Sequence, residues 1–242
     1  MKRLFCILCS VCLFCLLAVP AVYADLIIEP QGDSFYNQYG DDCQYLYRRY
    51  TANGAQGYVS LYKSPLSGQV RENVANGQVL SCSFLYTDSS GVQWGGVWGE
   101  NDALRGWVRL SDCFAVADYI SFAEAHESDF FSYDDAYDEL LPDYGTMVLW
   151  TYPCSGVIEY DGANTDWLDG QPETYFSQCY EDAEGRIWGF INYLRGSRQI
   201  WVCLSDPDST EIPADPDILP AQPELIPPAD NIPAAGSNIP LV

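Results

Sequence analysis

Residues 86–97 read YTDSSGVQWGGV, and residues 180–191 read YEDAEGRIWGFI, a near copy placed 94 positions later. Both contain an Asp-x-x-Gly tetrapeptide, Asp88–Gly91 and Asp182–Gly185, followed by a Trp-Gly pair. Such tetrapeptides suit a hairpin loop, because glycine takes the left-handed backbone angles that the loop demands. At the same offset GWVRLSDC (106–113) meets IWVCLSDP (200–207), and with a short gap upstream VSLYKSPLSG (59–68) meets MVLWTYPCSG (147–156). The repeat is therefore roughly 55–60 residues long, a size at which many domains fold alone.

Inside each copy the signals are those of short strands and tight turns. Asn76-Gly77 lies between alternating stretches and marks a two-residue hairpin. Val97-Trp98 and Trp107-Val108 supply the β-branched and aromatic residues that suit strands. Each copy is expected to be a small, strongly bent all-β barrel. Short helices are expected before and between the copies. Asp33-Ser34-Phe35-Tyr36 looks like a helix start ending by Gly40, and Ser121-Phe122-Ala123-Glu124 fits a capping box opening a helix over about 122–130, with Phe122 turned inward. The segment 132–143 is expected to be irregular.

Before residue 25 the pattern changes. Lys2 and Arg3 precede an apolar run from Leu4 to Val19, closed by Pro20 and Ala21-Val22-Tyr23-Ala24, the pattern of a secretory signal peptide cut after Ala24. The apolar stretch is short for a membrane-spanning anchor. Cleavage leaves nine basic against 34 acidic residues, a net charge of about −25. That surface repels phosphate backbones and anionic headgroups, so nucleic acid and direct membrane contact by the mature domains drop out of the expected partners.

Six cysteines remain: Cys43, Cys82, Cys113, Cys154, Cys179 and Cys203. In an exported chain they point to disulfides, in any of fifteen connectivities, with buried free thiols as the alternative. Three precede the middle of the chain and three follow it, so full pairing predicts at least one bond crossing between the halves. No CxxC or CxxH spacing suggests a metal, and Asp161–Asp166 lacks the alternating ligands of a calcium loop. No cofactor is expected.

Nine prolines fall between Pro207 and Pro240 with no aromatic residue. This composition predicts a disordered, polyproline-like spacer over 208–242. Its PxxP pairs, Pro213/Pro216 and Pro220/Pro223, lack flanking basic residues. The apolar ending Ile239–Val242 raises the expectation of an anchor beyond it.

The order of features in each copy, a strand, then SP-x-SG or YP-x-SG, a turn, G-x-x-WG-x-[VI] and [GI]-WV-x-LSD, resembles the bacterial SH3-like (SH3b) domain. The resemblance covers Gly57–Phe114 and Gly145–Pro207. It departs from the family at the loops Gly99–Arg105 and Asn192–Gln199 and in the cysteines. It implies an all-β chain of two small SH3-like barrels in tandem: an N-terminal helical extension (25–56), repeat one (57–115), an acidic helical connector (116–144), repeat two (145–207) and the disordered tail. It also implies a secreted or cell-surface protein that binds peptidoglycan or another wall polymer, with scaffolding against a surface protein as the alternative and an accessory part of a wall-active enzyme system as a third reading.

Catalysis is not expected. His126 is the only histidine, and no nucleophile motif surrounds it. Aromatic side chains can stack on sugars or peptides, so a binding site is sought among them. Trp94, Trp107, Trp188 and Trp201 recur at matching positions and are expected in the cores. Tyr62 and Trp150, on the first strand of each copy, are expected as an exposed, ligand-facing pair, with Trp98 as a further candidate.

Overall fold

A computed structural model describes residues 28–141, 145–165, 176–193 and 198–234. The expected signal segment, 1–24, and the last residues of the tail lie outside these. The described chain is mostly β, in two antiparallel sheets. The first contains β1 (Cys43–Ala52), β2 (Tyr58–Tyr62), β3 (Val70–Ala75), β4 (Val79–Thr87), β5 (Gln93–Trp98), β6 (Leu104–Arg109) and β7 (Cys113–Ala115), in the order β3-β2-β6-β5-β4-β1-β7. The second contains β8 (Thr146–Trp150), β9 (Ile158–Asn164), β10 (Phe176–Glu181), β11 (Ile187–Tyr193) and β12 (Arg198–Cys203), in the order β10-β11-β12-β8-β9.

The five strands of each copy share one topology. In both, the first strand lies between the second and the fifth, and the fourth joins the fifth to the third. Register repeats as well. Gly95 faces Val108 and Gly189 faces Val202; Tyr62 faces Trp107 and Trp150 faces Trp201. Neither sheet's hydrogen-bond ladder closes into a barrel.

The hairpin explains the doubled sentence with which the sequence repeats itself. Asp88 Oδ1 accepts the amides of Ser90 (2.9 Å) and Val92 (3.1 Å), while its Oδ2 accepts the Trp94 indole N–H at 3.1 Å. Asp182 does the same with the amides of Glu184 and Arg186, both at 3.0 Å, and with the Trp188 indole at 2.8 Å. Gly91 and Gly185 sit at φ +85° and +78°, where a side chain would be strained. One carboxylate thus closes the loop and fixes the Trp that follows it.

The glycine after each Trp has a steric role. A Cβ on Gly95 would lie 2.7 Å from Cys82 Sγ and 2.8 Å from Leu110 Cδ2, and one on Gly189 would lie 2.5 Å from Phe176 Cδ1. Side chains from neighbouring elements fill the space above these backbones. Gly189→Ala is expected to cost about 2 kcal/mol through overpacking, seen as a lower urea midpoint with an unchanged m-value.

The repeat reaches further than the sequence match. Helix α1 (Ser34–Tyr39) precedes the first sheet and α2 (Tyr119–His126) the second; each continues into one 3₁₀ turn, Gly40–Asp42 and Glu127–Asp129. Phe35 stands edge-on to Trp107 and Tyr86 at 5.1 and 4.9 Å, and Phe122 edge-on to Trp201 and Tyr180 at 5.2 and 5.0 Å. These ring partners are equivalent across the repeat. Gln44 on β1 pairs with Leu85, and Phe131 makes an isolated bridge to Cys179, the residue equivalent to Leu85. Phe131 is what remains of β1 in the second unit. Each unit is therefore a helix laid over the aromatic face of a five-stranded sheet, with a separate aliphatic cluster built around Leu61, Val97 and Val108 in one and Leu149, Ile191 and Val202 in the other.

Four expectations need correction. The segment 25–56 is not only helical, because it contains β1, which pairs with both β4 and β7. The cap of α2 is Asp118, whose carboxylate accepts the Ser121 amide at 2.8 Å, so the helix starts three residues before the expected Phe122 and Glu124 is free to meet Arg48. All six cysteines are free thiols. No crossing bond forms because the first three pack in or against the first unit's clusters and the last three in the second's.

The tail is the fourth correction. Over residues 208–234 it has no helix or strand, as its prolines dictate, but it turns at 216–219 and is packed. Ile212 and Ile218 are each only 7% exposed, within the aromatic cluster of the second unit. Asp215 donates its amide to Cys154 O at 2.9 Å, and His126 Nε2 meets Ile218 O at 2.7 Å. Proline-rich composition hid two isoleucines that supply buried apolar surface.

Candidate functional site

Of the three expected ligand-facing aromatics, the structure buries one. Trp150 is 1% exposed and stands edge-on to Trp188 at 5.7 Å, inside the second unit. Tyr62 is half-buried, edge-on to Trp94 at 5.4 Å, and the Arg109 guanidinium lies 5.7 Å above its ring. Neither is therefore the exposed position expected: Trp150 is internal and Tyr62 is half-covered. The physical reason is tertiary: these residues point to the sheet face on which Phe35 or Phe122 of the preceding helix packs. Trp94, Trp107, Trp188 and Trp201 are 4% exposed or less.

Trp98 has a different setting. It stands at the rim of a cleft of about 370 Å³ lined also by Tyr47, Arg48, Arg49, Ser81, Cys82 and Ser83. Two register shifts adjoin it, between Tyr45 and Arg48 on β1 and between Cys82 and Phe84 on β4, and a third lies on β6, where Arg105 is the extra residue opposite Val97-Trp98 of β5. A bulge inserts an unpaired residue and bends its strand. The bulged segments of β1 and β4 supply Tyr47, Arg48, Cys82 and Ser83 to the lining of the cleft.

The bulge on β1 also sets the lip. Tyr47 takes φ +45°, a left-handed angle that costs a bulky side chain about 1–2 kcal/mol. Its ring is 71% exposed and stacks on Tyr45 at 5.4 Å, and Tyr45 packs edge-on against Phe84 at 5.8 Å. The cleft therefore has aromatic walls on β1 and β5, with Ser81 and Ser83 hydroxyls between them.

Its two arginines differ. Arg48 is engaged by Asp118, Ser121 and Glu124, with Nε 3.1 Å from Asp118 Oδ2. Arg49 is exposed and makes no ion pair among the described residues. On a strongly acidic chain, this leaves an unpaired cation beside two aromatic faces. Such a site suits a ligand with a flat apolar face and a carboxylate.

Reactive groups are scarce. Burial, first of all, pushes the Cys154 thiol up to about 12 and the Cys203 thiol to about 11; Cys43 (about 11), Cys113 and Cys179 (both about 12) are raised for the same reason, and Cys82 is raised further. A thiol held up in this way is not a thiolate at neutral pH. His126 has its Nδ1 3.0 Å from Asp129 Oδ2 and its Nε2 on the tail carbonyl of Ile218. Among the described residues, no group of three His, Cys, Asp or Glu is placed to hold a metal ion, and no helix is long and apolar enough to cross a membrane.

Sequence reasoning missed Tyr45, Tyr47 and Arg49. The run QYLYRRY (44–50) did carry a strand signal, aromatic residues at alternate positions, which the neighbouring helix start obscured. Compared with known protein families, curated proteins and solved structures, the chain matches none.

Proposed function

We propose that the chain is a non-catalytic, extracytoplasmic binding module whose two units are SH3-like barrels of the SH3b kind, and that it binds peptidoglycan or another wall polymer at the cleft between β1 and β5. The cleft itself carries this reading: exposed Tyr47 and half-buried Trp98 flank unpaired Arg49 over serine hydroxyls. Aromatic faces stack on the C–H face of a sugar ring or on a peptide, and a guanidinium grips a carboxylate in two-pronged fashion. Polymers that combine sugars with acidic peptides present both groups. The shared strand order of the two sheets supports the barrel assignment, and protonated, buried thiols together with an engaged His126 support a non-catalytic role. The signal segment, removed after Ala24, would deliver the chain outside the membrane.

Tyr47 and Arg49 are exposed, so their replacement should leave the fold alone. Tyr47→Ala with Arg49→Glu is expected to lower retention on purified wall material at least ten-fold, with an unchanged melting transition. Retention equal to the unsubstituted chain would refute the assignment. Trp150→Ala cannot serve as a binding test, because the side chain is internal and its loss is expected to destabilise the second unit by about 3–5 kcal/mol.

A further inference from the structure

After Leu219 the tail leaves the second unit and crosses to the first, where it lies along the β1–β2 connection, β3 and the β3–β4 turn. The contacts there go to its main chain. Asn53 Nδ2 donates to Glu224 O at 3.1 Å, and Asn53 Oδ1 accepts the Ile226 amide at 2.8 Å. Asn76, 5% exposed, donates to Ile226 O at 3.1 Å; Ala229 donates its amide to Gly57 O at 3.2 Å; Asn73 donates to Pro233 O at 2.8 Å. Three asparagines and one glycine carbonyl thus bind an extended backbone from residue 224 to 233.

The pattern accommodates proline. The amides used are those of Ile226 and Ala229, and prolines, which have no amide, occupy 227, 228 and 233, where none is used. A chain in the polyproline conformation has its backbone already extended and little entropy left to lose. Close approach is built in as well: a Cβ on Gly57 would collide with the backbone of Ala229 and lie 2.9 Å from Pro227 O. The tail's side chains are partly covered as well, Leu225, Ile226 and Ile232 being 37–43% exposed, but the hydrogen bonds given above all run to its main chain. A segment whose hydrogen bonds are main-chain can be replaced by another of the same spacing.

We propose that this face of the first unit is a binding site for extended, proline-bearing peptide segments of other proteins, and that residues 224–233 occupy it as a tethered, displaceable ligand. The site is separate from the cleft at Tyr47 and Trp98 and does not depend on the wall-polymer reading. Tethering raises the local concentration of the tail, so a free peptide competes only when the tail is released or the competitor is abundant.

The full chain, folded and then cut at a protease site placed within 220–223, gives the test. A fluorescent synthetic peptide of residues 222–234 is titrated onto cut and uncut protein, with near-ultraviolet circular dichroism recorded on both. The cut protein is expected to bind the peptide at least ten-fold more tightly than the uncut. Asn53→Ala, which removes two hydrogen bonds to the tail, is expected to weaken binding about ten-fold. A peptide N-methylated at Ile226 is expected to lose binding, while one methylated at Asp230, whose amide is unused, keeps it. Failure of the peptide to bind cut protein of unchanged dichroism, or equal binding by the two methylated peptides, would overturn the proposal.

Discussion

Replacing Asp182 with alanine is expected to destabilise the second unit by about 3 kcal/mol, the larger of the two hairpin effects. The carboxylate is 6% exposed and serves five donors: the Trp188 indole, two loop amides, the Arg186 Nε at 2.7 Å and the Cys154 thiol at 3.5 Å. Removing it strands a buried indole N–H, at about 1–3 kcal/mol, and leaves a partly covered guanidinium unpaired. Asp88 has the same hairpin role but no arginine partner and a more open setting, so Asp88→Ala should cost clearly less. Urea unfolding followed by tryptophan fluorescence measures both. Equal losses at the two positions would mean that loop closure alone, and not the buried indole and arginine, sets the cost.

The same groups give the fold an acid dependence of known sign. For Asp182, burial raises the pKa, but hydrogen bonds from Trp188 and Arg186 outweigh it and hold the group below its ordinary 3.8. Hydrogen bonds from Ser90 and Trp94 lower Asp88 to about 2. A carboxyl depressed in the folded state stabilises fully above its unfolded value and loses that contribution as the pH falls from 3.8 through the folded value. The chain should therefore lose stability between about pH 4 and pH 2, and Asp182→Asn, which cannot ionise, should flatten that slope. An unaltered slope in the variant would place the acid sensitivity elsewhere.

Local signals were legible in the sequence where local chemistry sets structure. Asp-x-x-Gly and Asn-Gly mark turns whose geometry depends on a few adjacent residues, and both hairpins close where they should. The offset of 94 carried the last three strands of each sheet, and an offset of 88 the first, because strand pairing preserves register. The helices follow a second offset of 87, from Phe35 to Phe122, and the change of seven positions hides them from a gapless comparison. Exposure was the least legible property. Tyr62 and Trp150 resemble surface aromatics in a short strand, and only the helix packed on that face of the sheet buries Trp150 and half-covers Tyr62. The free thiols have the same cause, since which cysteines share a cluster depends on the packing of whole units. Ile212 and Ile218 were hidden by proline composition, although their burial needs no regular secondary structure around them.

Arg48 is where the two units meet, and its replacement is the second change of large expected effect. Its side chain is 9% exposed; Nε and Nη2 grip Asp118 at 3.1 and 3.2 Å, Nη2 reaches Ser121 Oγ at 2.9 Å, and Nη1 meets Glu124 at 3.3 Å. Asp118 is also the cap of α2, so one guanidinium on β1 holds the start of the helix that covers the second sheet. Removing one member of a largely buried pair costs about 3–5 kcal/mol, and the exposed Glu124 arm adds little, so Arg48→Ala is expected to cost about 3 kcal/mol. Lysine should not rescue it, because an ammonium cannot reproduce the two-pronged contact. Hydrogen exchange at the Phe122 amide, bonded to Asp118 O at 3.1 Å, should quicken about 100-fold if the helix start opens with the pair. Unchanged exchange, with the loss of stability spread over the first sheet alone, would mean that β1 and α2 are not energetically joined. Because Arg48 also lines the cleft, a binding defect in its variants would mix two effects, and the ligand question has to be put to Tyr47 and Arg49, which touch the cleft without holding the helix.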